Sequence, residues 1–130
     1  MSHIAKIQLQ IKDLDALADA AESLGCELVR DQKSFLWYAG RRNPCDHAIR
    51  VKNAQRGTYE IGVIADGEGN YRLECDFWNS GGLQKIVGAE GQKLRQSYAE
   101  SAATRQAQRQ GFRVHRTVNE SGVVRLRLTK

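Results

Sequence analysis

Hydrophobic and polar positions alternate from the start of the chain: Ala5, Ile7 and Leu9 fall on one side, Lys6, Gln8 and Gln10 on the other. A period of two predicts a strand with one buried face over residues 4–10. The period then changes. Leu14, Leu17, Ala18, Ala21 and Leu24 recur at helical spacing behind Asp13, whose side chain suits an N-cap, and Gly25 supplies the stop. Asp13, Asp15, Asp19 and Glu22 give this helix an acidic outer face. Residues 26–29 predict a short strand and residues 35–38 an aromatic-rich one. Pro44 marks 40–46 as a loop, because proline cannot continue a central strand. Alternation returns over 48–52, with Ile49 and Val51 inward.

Two hairpins follow from the same alternation. Tyr59, Ile61, Val63 and Ala65 share a face, as do Tyr71, Leu73, Cys75 and Phe77, around a turn at 66–70. Pairing Val63 with Leu73 and Ile61 with Cys75 keeps the apolar side chains together. Cys75 is then a core thiol, and Glu60, Arg72, Glu74 and Asp76 line the exposed face. Residues 78–82 leave the sheet, 83–87 predict one or two helical turns, and 92–110 a longer helix with Leu94, Tyr98 and Ala102 inward and Gly111 as its stop. In the second hairpin, a three-residue loop at 120–122 with Gly122 in a left-handed bulge pairs Val118 with Val124 and Val114 with Leu128. That register separates apolar from basic side chains and puts Arg113, His115, Arg125 and Arg127 on one face. The order β-α-β-β-β-β-β-α-β-β predicts an α+β domain over residues 1–130. The expected form is one antiparallel sheet holding both hairpins, with two helices on one face, near ferredoxin-like.

Charge changes the picture at one end. The chain has 130 residues and a formal net charge of +5. Residues 81–130 hold half of its twenty Lys and Arg but only three acids, Glu90, Glu100 and Glu120. Asymmetry of this kind bears on partners rather than on fold. No apolar run approaches the roughly 18 residues of a membrane span, and the alternating start lacks a signal peptide's apolar core. A cytoplasmic location is expected, or the plastid stroma or host cytoplasm of the cell that makes the chain. Cys26, Cys45 and Cys75 form no CxxC pair and read as reduced structural thiols.

Encoded chemistry is sparse. No phosphate loop, dinucleotide fingerprint or HExxH is present. Cys45 and His47 could meet a metal only if His3 or His115 converged on them, so no metal, cofactor or catalytic residue is assigned. Glu74 and Asp76, two apart on a strand, read as exposed charge rather than a working carboxylate pair.

Several short stretches are similar to the DUF1257 (Ycf35-like) family of small proteins. They are Met1-Ser2-His3, the strand and helix over 6–24, Tyr59-Glu60-Ile61-Gly62, Asp76-Phe77-Trp78, Tyr98, and Gln110-Gly111-Phe112. The likeness covers nearly the whole chain. It departs from the family pattern at Phe77, where members often have the first of two tryptophans. The resemblance implies one full-length domain and carries no reaction, cofactor or catalytic residue.

The functional expectation is a non-enzymatic binding module for nucleic acid or a nucleoprotein complex. Arg105, Arg109, Arg113, His115, Arg125 and Arg127 would contact phosphates, and Trp37, Trp78 or Tyr98 could stack on bases. Two alternatives stand beside it. One is a protein-interaction or assembly module, including a viral inhibitor of a host complex, using Trp37, Tyr38, Phe77 and Trp78. The other is a small-ligand sensor or enzyme near Trp78 and the glycines after it. The helices could also pack over the basic hairpin face, using the arginine stems as cover.

Overall fold

A computed structural model describes residues 4–78 and 81–130. His3 and the rest of the first motif, and Asn79 and Ser80 in the expected exit from the sheet, lie outside the described residues.

Strand β1 (Ala5–Ile11) leads into helix α1 (Leu14–Ser23), and β2 (Cys26–Arg30) follows. Asp13 caps α1 as predicted: its Oδ1 accepts hydrogen bonds from the N–H groups of Asp15 (2.9 Å) and Ala16 (3.1 Å). Next come β3 (Ser34–Leu36), β4 (Arg42–Pro44), β5 (His47–Val51), β6 (Ile61–Ala65) and β7 (Tyr71–Cys75). The chain closes with α2 (Leu83–Val87), α3 (Gln92–Arg109), β8 (Arg113–Val118) and β9 (Val124–Thr129).

Five strands form the main sheet in the order β1-β7-β6-β5-β2, each neighbour antiparallel. Val63 lies opposite Leu73 and Gly62 opposite Glu74, in the predicted register. Four antiparallel steps make β1 and β2 parallel. The chain therefore crosses from one edge of the sheet to the other through α1, with three strands between.

The helices share one face. Ile7, Ile11, Cys26, Ile49, Ile61, Val63, Leu73 and Cys75 from the sheet pack with Ala16, Leu17, Ala20 and Ala21 of α1, Leu83 and Val87 of α2, and Leu94 and Tyr98 of α3. Ala16 and Ala20 turn inward on α1, where the helical spacing pointed to Ala18. The fold is α+β with antiparallel sheets, as the alternation and helical spacing predict.

Three expectations change. First, β8 and β9 pair only with each other, so the second hairpin is a separate two-stranded sheet and not part of the main one. Second, β4 occupies part of the expected loop. It pairs with β3 through Ser34–Pro44, Phe35–Asn43 and Leu36–Arg42, and Pro44 is accommodated because this ribbon is all edge. Third, that ribbon covers the sheet's second face. Phe35, Cys45 and Ala48 form a small core there. Phe35 lies so close to Gly62 that a Cβ at that position would be 2.3 Å from the ring. The ribbon engages one of the carboxylates expected on an open face: Glu60 accepts from the Leu36 N–H at 2.9 Å, and its side chain is only 13% exposed. Asp76 is buried as well, and the Glu74 side chain is 15% exposed beside Arg72.

Candidate nucleic-acid interface

The second hairpin has the predicted register throughout: Val114 lies opposite Leu128 and Val118 opposite Val124. The Asn119 N–H donates to the Val123 carbonyl at 3.1 Å, leaving 120–122 as the loop. Gly122 has φ +82°, a conformation that favours glycine. Alternation then divides the ribbon into two unlike faces.

One face carries Val114, Arg116, Val118, Val124, Leu126 and Leu128. It turns toward α3: Val124 and Leu126 meet Ala99 and Ala103 of the helix around an open groove of about 530 Å³. Arg116 pairs with Glu100 of α3, and the Phe112 N–H donates to the Ala107 carbonyl at 3.0 Å. Val118, Val123 and Leu128 remain half exposed, at 50%, 59% and 46%.

The other face turns away from the body and carries Arg113, His115, Thr117, Arg125, Arg127 and Thr129. The alternative in which helices cover the arginines is therefore overturned, because α3 lies against the apolar side. Arg113 is opposite Thr129, His115 opposite Arg127, and Thr117 opposite Arg125. No two arginines face each other directly, which limits like-charge repulsion across the ribbon. His115 and Thr129 share a hydrogen bond between Nε2 and Oγ1 at 3.2 Å. Arg113, His115, Arg125 and Arg127 are all exposed, and none forms an ion pair with a described residue.

Arg105 and Arg109 stand apart from these four. Arg105 donates from Nε and Nη2 to the two carboxylate oxygens of Asp19 at 2.5 and 3.1 Å, and that hydrogen bond raises its pKa further. Arg109 donates to Asp13 Oδ2 at 2.9 Å. Both tie α3 to α1, so the acidic face read on α1 is matched from within the chain. Burial alone would raise the Asp13 pKa. The Ala16 N–H, the Arg109 guanidinium and the Asp15 N–H outweigh that and hold it below its ordinary value.

The aromatic candidates divide as well. Tyr98 is a core residue whose hydroxyl accepts from the N–H groups of Lys12 (3.0 Å) and Asp13 (3.2 Å), so its ring is not free to stack on a base. Phe77 packs against the main core. Trp37 is half buried and donates from Nε1 to Asn43 Oδ1 at 3.1 Å. Tyr38 and Trp78 are each 43% exposed. Arg41, absent from the predicted set, lies over Trp37 and Tyr38 with its guanidinium carbon 5.5 and 6.0 Å from the ring centroids. It can reach both rings because β3 ends at Leu36 and residues 37–41 form the turn to β4, where the residue pattern had extended the aromatic strand to Tyr38 and begun the loop at Gly40. Trp78 flanks the same end of the sheet, since the successive N–H groups of Tyr59 and Glu60 donate to the Gly81 and Leu36 carbonyls.

Cys45 and His47 each have another partner. The thiol contacts the Gln32 carbonyl at 3.1 Å, and His47 Nδ1 accepts from the Asp31 N–H at 2.9 Å. No group of three potential metal ligands occurs among the described residues. No helix among them is long and apolar enough to cross a membrane.

Fold and surface together define a small α+β protein whose separate two-stranded ribbon presents a basic face. Residues 20–127 match the family described as "Protein of unknown function (DUF1257)". The chain belongs to that family. It is similar to "Uncharacterized protein ycf35" of Guillardia theta, at 29% identity over 139 aligned positions that cover 100% of this chain and 98% of the relative. No solved structure matches the chain significantly.

Proposed function

We propose that the protein is a non-catalytic binding module whose β8–β9 hairpin holds nucleic acid, free or within a nucleoprotein complex. One observation carries this reading: Arg113, Arg125 and Arg127 share an outward face without an acidic partner among the described residues. Of the other arginines, Arg30, Arg42, Arg50, Arg72, Arg105, Arg109 and Arg116 are engaged by carboxylates, while Arg41, Arg56 and Arg95 have no such pair among the described residues but stand on three separate segments rather than together on one face. A polyanion laid along this face would meet three guanidinium groups that no carboxylate among the described residues neutralises, and would release its own counterions. Arg105 and Arg109 are among the phosphate contacts expected from the sequence, but in this structure they join α3 to α1. The test replaces Arg113, Arg125 and Arg127 together with glutamine. The expected result is weaker binding across unrelated sequences and a shallower salt dependence, by about one in log–log slope for each phosphate contact removed. Unchanged affinity and slope in the folded variant would reject the hairpin as the site.

The second reading is a protein-docking surface at the β3–β4 turn. The stacking of Arg41 on Trp37 and Tyr38 favours it, since Trp, Tyr and Arg are the residue types that most often anchor interfaces. Nuclease-resistant recovery of one protein partner, lost in Tyr38→Ala and Arg41→Ala, would support this surface. Recovery that nuclease abolishes would support the hairpin instead.

A further inference from the structure

The outward face of the hairpin has a composition as well as a charge. Three cross-strand rows make it up: Arg113 with Thr129, His115 with Arg127, and Thr117 with Arg125. All six side chains carry hydrogen-bonding groups, none is acidic, and none is Phe, Tyr or Trp. Proteins that hold single strands rely on aromatic platforms beneath successive bases. This face has no Phe, Tyr or Trp platform, and Tyr98 is locked in the core.

The dimensions favour a different form of nucleic acid. Alternate residues on a strand are about 6.8 Å apart, so three rows extend over about 14 Å. Base pairs along a duplex rise about 3.4 Å each, so the face spans about four steps. Both edges of the ribbon are unflanked among the described residues, where β8 and β9 pair with no other strand. A two-stranded ribbon is one of the elements that the major groove of B-form DNA, about 12 Å wide, admits. The A-form major groove of duplex RNA is too deep and narrow for side chains to read. Within a B-form groove, a guanidinium fork matches guanine O6 and N7, and threonine hydroxyls serve either base. The body lies behind the ribbon, on its apolar side, and so does not obstruct entry.

We propose that β8–β9 enters the major groove of double-stranded B-form DNA with its Arg–Thr–His face toward the base edges. This rests on the nucleic-acid reading above and extends it from phosphate contact to a particular duplex form and groove.

The experiment compares the full chain on three probes of one guanine-containing sequence: a 20-base-pair DNA duplex, the corresponding RNA duplex and the single DNA strand. The DNA duplex is expected to bind at least about tenfold more tightly than either other probe, a preference of the size one good base-edge pair provides. Replacing guanine with 7-deazaguanine, which removes the N7 acceptor, should weaken duplex binding. A folded variant with Arg113, Arg125 and Arg127 all changed to Lys keeps the charge and loses the forks, and should lose most of the preference for DNA duplex. Equal affinity for all three probes, or indifference to both 7-deazaguanine and the Lys variant, would overturn groove entry while leaving phosphate binding by the hairpin intact. Failure to bind any probe at low salt would overturn both readings.

Discussion

Asp13 closes two structures at once. Its Oδ1 caps α1 and its Oδ2 accepts from Arg109 of α3. Asp13→Ala removes the cap and should cost about 0.5–2 kcal/mol in chemical denaturation. Asp13→Asn, which keeps a capping oxygen, should cost less, because the Arg109 side chain is 60% exposed and an exposed pair adds little. The carboxyl's pKa is lowered in the folded chain, so its contribution is full above the unfolded aspartate value of about 3.9 and disappears as pH falls through the lower folded value. The wild type should therefore lose stability relative to Asp13→Asn across that acidic interval, as parallel denaturation curves at pH 5 and pH 3 would reveal. The three thiols give a second residue-scale test. Burial pushes Cys75 up to about 12 and Cys26 up to about 11, and it raises Cys45 as well. None should react with a thiol reagent at pH 8 until the chain unfolds, so the rate of labelling should follow the unfolding rate. Gly62→Ala tests the contact with Phe35. Its Cβ would press on a fully buried ring, and a loss of about 1–3 kcal/mol is expected from the melting transition.

Among the elements, the hairpin is the least enclosed. Two strands alone are marginal in water, and β8–β9 is supported on one side only, by α3. Amide hydrogens of Val114 and Leu126 should exchange well before those of Val63 and Leu73, which native-state exchange read by mass spectrometry would resolve. The pairing within this hairpin was legible in the sequence, because alternating Val and Leu against Arg leave one register that separates the two sets. Its membership of a separate sheet was not, since a period of two specifies which side chains share a face and says nothing about which strand lies beyond the edge. The β3–β4 ribbon was hidden for a related reason. Its strands have three residues each, and Pro44 is a strand breaker everywhere except at an edge. Missing that ribbon made Glu60 look like open surface. The candidate site was legible as far as alternation reaches: Arg113, His115, Arg125 and Arg127 do share a face. Arg105 and Arg109 were grouped with them by charge alone, and only the packing of α3 on α1 reveals their acidic partners.

At the scale of the whole molecule, the two edges of the main sheet come from the two ends of one short unit. β1 and β2 are joined through α1, yet Ala5 lies opposite Cys75 and Cys26 opposite Val51. Neither edge strand finds its partner nearby in the chain. A chain emerging from the ribosome can form α1 early, but β1 must wait for β7, and in that interval the apolar side of β1 has no cover. Closing such distant pairs requires a large loss of chain entropy before any contact compensates. Refolding should accordingly be slow for a chain of this size, on the order of milliseconds to seconds, and weakening β1 should accelerate unfolding more than it slows refolding. A strand made before all the others of its sheet is thus among the last to find its partner, and dependence on chaperones should concentrate there.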